Sequence, residues 1–384
     1  MTNMTLLSYR NDGIEIERGD CSEVVVTASG HSIEVYRTKN PKEKIPDDQL
    51  GFGKNVSDHM FVLEYANGAW GTPRIVPYGP IQIDPAAKVL HYGQEIFEGM
   101  KAYKWTENGS LALFRPYDNA RRFNVSAARM CMPPVDESLF VESLQELIKV
   151  DRDFVPSSPG TSLYIRPTMI GVDNLLGVAP ANRYLYYVIL SPSAPYFAGG
   201  FKGIGIYVDK EFVRAVKGGV GEAKTGGNYA ASLFATQKAQ KKGFAQVLWT
   251  DATLHELCEE IGAATFFCVR NGVITTPPLT GTILRGITRN SILKLASTVG
   301  YEIAEEDVKV SDLFNGIKSG DITEVFACGT AAVLTPVVRV GGDDEETVTV
   351  GNGEPGPVAT RLYNSLVDIQ LGKADDKFGW TVEF

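Results

Sequence analysis

The chain has few of the residues from which extracellular frameworks and metal centres are built: 384 residues include only five cysteines and four histidines. Cys21, Cys131, Cys258, Cys268 and Cys328 form no CxxC pair and are odd in number. Reduced thiols are therefore expected, not a disulfide scaffold or a zinc knuckle. His31, His59, His91 and His255 are scattered without metal-ligand spacing, so no bound metal is expected. Long apolar runs are also missing; the longest, 184–190, is about a third of a membrane span. The first twenty residues lack the basic start and apolar core of a secretory leader, and they are too acidic for a transit peptide. Basic residues are outnumbered, 37 Lys and Arg against 46 Asp and Glu, and a net charge of -9 repels nucleic acid and anionic membranes alike. No internal repeat or low-complexity tract occurs. What remains is 44% hydrophobic and 22% charged, the composition of a cytoplasmic globular protein, over a length that suits two domains.

The spacing predicts strands at 60–66 and 69–77 around Asn67-Gly68, a pair that tolerates the positive φ of a tight turn. Further strands are expected at 111–114, 162–171 and 184–191. Helices are expected at 116–130, with Pro116 in its first turn, and at 137–153. Two prolines and two glycines within 191–200 mark a linker. The expected division is a smaller α+β domain over 1–192, an interdomain loop over 193–203 and a larger α+β domain over 204–384. In that second half, a Gly-rich stretch at 218–227 leads into a helix at 229–242. Strands are expected at 245–250, 261–270, 273–276, 324–329 and 332–340, and helices at 288–299 and 358–371. Strands and helices mix without a strict βαβ rhythm, which gives an α+β class with mixed sheets in both domains.

The most informative segment is Gly218-Gly-Val-Gly-Glu-Ala-Lys224-Thr-Gly-Gly-Asn-Tyr229. Glycines on both sides allow a ligand to approach Lys224 closely, and a desolvated amine has its pKa lowered into the range of Schiff-base chemistry with an aldehyde. A glycine-rich surface loop with a passing charge has the same composition. A nucleotide phosphate loop differs by one residue, because Ala223 stands where that motif needs the glycine that wraps the phosphate. A pyridoxal cofactor needs more: a carboxylate for its ring nitrogen, helix amides or arginine for its phosphate, and donors for the substrate carboxylate. Glu259 and Glu260, at the entry to the apolar strand 261–269, are candidates for the first, since an acid there is costly unless partnered. Gly286-Ile287-Thr288 at a helix start and Arg122 in the helix after Phe114-Arg-Pro116 are candidates for the second. The turn Gly329-Thr330-Ala331 is a candidate for the third. Taken singly, each reads equally as a capped helix, a surface ion pair or a tight turn.

Together these segments resemble the branched-chain aminotransferases, within the type IV, D-amino-acid-aminotransferase-like fold of pyridoxal-phosphate enzymes. The likeness runs from about residue 52 to the last helix. It rests on Leu90-His-Tyr-Gly93, Phe97-Glu-Gly-Met-Lys101, Phe114-Arg-Pro116, Leu163-Tyr-Ile-Arg-Pro167, the stretch 218–229, Val247-Leu-Trp249, Glu260-Ile-Gly262, Gly281-Thr-Ile-Leu-Arg-Gly-Ile-Thr-Arg289 and Gly329-Thr-Ala-Ala-Val333, in that order. The resemblance implies pyridoxal 5'-phosphate as cofactor, held covalently by Lys224, which also moves the proton at the substrate α-carbon. It implies that Glu260 pairs with the ring nitrogen and Tyr229 lies near the phenolic oxygen. Arg122, Ile287 and Thr288 are implied to bind the phosphate, with Thr330 also beside the cofactor. The amides of Thr330 and Ala331, with the Tyr92 hydroxyl, are implied to hold the substrate carboxylate. Phe52, Phe97 and Tyr164 would wall an apolar side-chain pocket, and Val178 would reach the neighbouring subunit of a homodimer.

Arg166 is implied to receive the distal carboxylate of glutamate. The reaction implied is ping-pong transfer of the amino group of leucine, isoleucine or valine to 2-oxoglutarate, with no ranking among the three. D-amino-acid transamination and aminodeoxychorismate lysis occur on the same fold in shorter chains, and Tyr164 with Arg166 argues against them. A catalytically inactive binding protein would have no use for Lys224 and Glu260. The chain departs from the family at Ala263, where many members have Thr or Gly, at Thr265, where many have Asn, and at Arg285, where proline is expected. Residues 329–336 lack the paired cysteines of some mammalian members.

Overall fold

The computed structural model describes residues 7–10, 13–16, 21–105, 109–195 and 201–384. They divide into two units, Met1–Tyr196 with Phe378–Phe384, and Phe197–Lys377. In the first unit, apolar side chains that alternate along the strands bury one face of an eleven-stranded sheet. Its central ladder is Met100–Lys104, Ser162–Gly171, Tyr184–Ser193 and His59–Ala66, antiparallel throughout. Helix α1 (Lys88–Tyr92) is short. Helices α2 (Pro116–Arg129) and α3 (Glu137–Val150) put Phe123, Phe140, Leu144 and Leu147 into the same core as Phe61, Leu163 and Tyr186. Asp136 caps α3 by accepting from Leu139 N at 2.9 Å, which satisfies one of the free amides of a helix start. Asn67 and Gly68 take φ of 54° and 80° in the hairpin turn.

The expected boundary puts 378–384 in the second domain, but they return to the first unit. There the strand Thr381–Glu383 pairs with Leu111–Phe114, and Arg115 N donates to Trp380 O at 2.6 Å. Trp380 is the physical reason: its ring stacks on Phe378 at 4.0 Å and is buried against Phe114. With these residues the first unit is the longer one, the reverse of the expectation. The strand Tyr184–Ser193 runs through Pro192 to the start of the expected linker, of which 196–200 lie outside the described residues.

In the second unit, strands of both directions form a nine-stranded sheet. Ile204–Val208 lies parallel to Gln246–Thr250 on one side and to Val333–Gly342 on the other. Cys258–Ile261 pairs with both Gln246–Thr250 and Ala264–Arg270, so six strands close on themselves. One face packs on helix Val310–Ser319, and the opposite face puts Tyr207, Val247 and Trp249 against Ala235 and Ala239 of helix Leu233–Lys241. In chain order the helices here are α4 (Gly226–Ala230), α5 (Leu233–Lys241), α6 (Ile287–Thr298), α7 (Val310–Ser319) and α8 (Pro357–Gln370). The helix expected over 229–242 is thus two, broken at 231–232. The strand expected over 261–270 is broken by a turn at Gly262, whose φ is 58° and whose Cβ position is filled by the Gln246 side chain.

Among the described residues no helix is long and apolar enough to cross a membrane, and no three His, Cys, Asp or Glu side chains gather to hold a metal. No described cysteine is in a disulfide.

Candidate active site

The turn at Gly262 places the acid. Glu260 is not at the entry to one long strand over 261–269, the expected place; it sits next to the tip of the hairpin formed by Cys258–Ile261 and Ala264–Arg270, opposite Thr265 in register. Trp249 fixes that tip by donating from Nε1 to Gly262 O at 2.9 Å. Glu260 is 4% exposed. Burial lifts its carboxyl from 4.5 to about 7, even though Arg214 beside it pulls the other way. Glu259 is also buried, and it accepts from the Thr282 hydroxyl at 2.6 Å. Burial raises its carboxyl as well.

Lys224 stands on a loop that is packed, not solvated. Gly221, Ala223, Thr225 and Asn228 are buried, and the Asn228 amide donates to Val220 O at 2.8 Å and Ala223 O at 2.9 Å. This excludes a passing charge on a surface loop. The helix that follows, α4, has five residues, too few for a phosphate-loop helix. Lys224 Nζ donates to the Tyr229 hydroxyl at 2.8 Å. The positive charge of Lys224 is felt at Glu260, and Tyr229 and Glu260 line one cavity with Ala263, Gly262 and Arg214.

Ile287 and Thr288 are the first residues of α6, where backbone amides have no intrahelical acceptor. Arg289 anchors this helix start through Pro277 O at 2.9 Å and Glu305 at 2.6 Å. Thr330 and Ala331 occupy the turn between Ile322–Gly329 and Val333–Gly342. Of the departures, Ala263 lies in the cavity wall, Thr265 is buried opposite Glu260, and Arg285 is 65% exposed, 3.9 Å from Glu222.

The remaining predicted residues lie in the first unit. Phe52 meets Tyr164 edge to face at 4.9 Å. Arg166 donates to the Tyr164 hydroxyl at 2.9 Å, and its guanidinium lies 4.6 Å over Phe97 and 5.3 Å from the Tyr164 ring. Glycine is required at Gly99, because a Cβ there would strike the Tyr164 hydroxyl. Tyr92 is in a different group of contacts: its hydroxyl donates to Leu176 O, in the loop whose exposed tip is Val178. Lys88 braces the same loop by donating to Gly177 O at 2.7 Å.

Arg122 has a partner that its sequence position did not announce. Its Nε and one terminal nitrogen donate to the two carboxylate oxygens of Glu98, each at 2.8 Å, and Glu98 is fully buried. Glu98→Ala should lower stability by about 3–5 kcal/mol in urea denaturation, because it leaves the guanidinium buried without its counter-charge. An unchanged midpoint would mean that the pair does not form.

Residues 95–340 match the class IV aminotransferase family. Over 353 residues the chain is 47% identical to branched-chain-amino-acid aminotransferase 2 of Bacillus subtilis (strain 168), covering 91% of this chain and 96% of that protein. The chain belongs to the branched-chain-amino-acid aminotransferases. Its fold matches the branched-chain amino acid aminotransferase of Escherichia coli with a TM-score of 0.70, 28% identity, and coverage of 84% of this chain and 98% of that one. The T.th. branched-chain amino acid aminotransferase, solved with pyridoxamine 5'-phosphate, aligns with a TM-score of 0.68, 29% identity, and coverage of 83% of this chain and 97% of that one. The class IV family uses pyridoxal phosphate. The second unit of this aminotransferase suits that cofactor, with a buried acid, an amine bonded to a phenol and a helix start that presents backbone amides.

Proposed function

We propose that this enzyme transfers the amino group of leucine, isoleucine or valine to 2-oxoglutarate, acting as a homodimer in the cytoplasm. The observation that carries the reading is the hydrogen bond from Lys224 to Tyr229 beside the cavity that Glu260 shares. When bound, pyridoxal phosphate supplies an aldehyde for the amino group and a ring that accepts the electron pair of the α-carbon. Lys224 supplies the amine that holds this aldehyde, and once displaced it carries the proton at the α-carbon. Tyr229 orients that amine. Glu260 keeps the ring nitrogen protonated. The amides of Ile287 and Thr288, with Thr330, hold the phosphate, a role that the family resemblance also gives to Arg122. The Thr330 and Ala331 amides hold the substrate carboxylate; the family resemblance adds the Tyr92 hydroxyl, whose one proton would first have to leave Leu176 O, and gives Phe52, Phe97 and Tyr164 the shielding of the side chain from water. The exposed Val178 loop, fastened by Lys88 and Tyr92, suits contact with the neighbouring subunit.

Accepting both leucine and glutamate poses a charge problem. A fixed buried arginine would be left unpaired by leucine. Arg166 is instead cushioned between two aromatic rings, and its Nε is buried with no acceptor among the described residues, which suits an arriving carboxylate. Arg166→Ala should therefore raise KM for 2-oxoglutarate by about 10–100-fold, the worth of a hydrogen bond to a charged group, and change leucine far less. Equal losses would refute the role. The reading as a whole is tested by a substrate panel on cofactor-loaded protein. Leucine, isoleucine and valine should turn over with 2-oxoglutarate and D-alanine should not; a preference for D-alanine would overturn the assignment.

A further inference from the structure

The second unit holds a buried cation to which none of these roles gives a task. Arg214 has a side chain only 8% exposed, and its Nε lies 2.5 Å from Oε2 of Glu260. One terminal nitrogen donates to Thr282 O and, at 3.3 Å, to Gly221 O. The three partners belong to three segments: the strand with the acid, the loop that ends in Lys224, and the loop that enters α6. The fit is tight, because a Cβ on Gly221 would strike the Thr282 carbonyl and Ala215. Arg214 and Glu260 also line the same cavity as Tyr229.

We propose that Arg214 is a positioning residue: it favours the ionised form of Glu260 against the pull of burial, keeps it at the cavity wall, and fixes the spacing of the acid, the Lys224 loop and the entry to α6. The proposal rests on the reading of Glu260 as the partner of the cofactor's ring nitrogen. A buried carboxylate without a counter-charge takes up a proton, and a neutral acid no longer stabilises a cationic ring nitrogen. The other groups that act on Glu260 oppose one another: Glu259 favours its protonated form and Lys224 its ionised form. The nearby Cys328 thiol is buried, and burial pushes its pKa up, so it stays neutral. A guanidinium keeps its charge at every working pH; here its Nε stands in ion-pair contact with the carboxylate without hydrogen-bond alignment, while one terminal nitrogen donates to the two carbonyls.

The test begins with the apoenzyme. Infrared titration of glutamate-labelled protein, with Glu260→Gln identifying the band, reads the ionisation of Glu260 directly. Arg214→Met should move its midpoint up by about one unit or more, the equivalent of a tenfold change, while Arg214→Lys should stay close to wild type. An unmoved midpoint in Arg214→Met would overturn the proposal. Should Arg214→Met fail to fold, Arg214→Gln, which keeps a donor for the Thr282 carbonyl, takes its place. Cofactor titration supplies the second readout. Arg214→Met should weaken pyridoxal phosphate binding about tenfold, but hardly at all in a Glu260→Gln background. The same factor lost in both backgrounds would mean that Arg214 only supports the fold. The apoenzyme titration needs neither cofactor nor substrate, so its failure is distinct from a failed substrate panel.

Discussion

Replacing Lys224 by alanine is expected to lower kcat for leucine by more than ~10³-fold, because one substitution removes both the covalent anchor and the proton carrier. The fold should survive. Lys224 is only half-buried, and the loop around it is also held by the Asn228 amide and by Arg214, which the substitution leaves in place. Circular dichroism and the urea midpoint should therefore match the wild type. Lys224→Arg should be equally inactive, since a guanidinium does not give up its proton at working pH. An added small primary amine should restore part of the turnover in Lys224→Ala and none in wild type. Turnover within about tenfold of wild type would place the chemistry on another residue.

Glu260→Gln should lower kcat by about 10²–10³-fold, the usual effect of removing one preorganised charge from a reacting centre. The amide fits the space of the carboxyl but carries no charge to hold a proton on the ring nitrogen. The same variant has a signature without cofactor. Glu260 keeps its proton more tightly in the folded protein, with a pKa raised from 4.5 to about 7 by burial, than in the unfolded chain. The folded state therefore binds more protons between these two values. The stability that this contributes is complete below the unfolded value and is lost as pH rises through the folded one. Apoenzyme urea midpoints should fall across that window in wild type and fall less in Glu260→Gln. Parallel curves would show that Glu260 titrates normally.

Much of this was legible because local chemistry and local geometry agree. Asn67-Gly68 and Asn271-Gly272 announce turns that form, with positive φ at all four residues. Lys224 stood out through its glycines, and the packing of Gly221 against Thr282 shows one reason that they are glycine. Other features had no local signal. The tight turn at Gly262 interrupts what reads as one apolar strand, because Ile261 and the following alanines continue its apolar character. Arg214 sits in an unremarkable stretch, and only the fold brings it to Glu260. The partnership of Arg122 with Glu98 is equally non-local. Trp380 docks against Phe114 across most of the chain length, so the return of 378–384 to the first unit could not be read from the linker composition. One miss was avoidable. Val310, Leu313, Phe314 and Ile317 have helical spacing, and Gly320 stops α7 at a φ of 88°.

The most direct test of the account is chemical. Holoenzyme treated with borohydride, digested and mapped by mass spectrometry should carry a phosphopyridoxyl group on Lys224 alone. A label on any other lysine, or no label on protein shown to bind the cofactor, would contradict it.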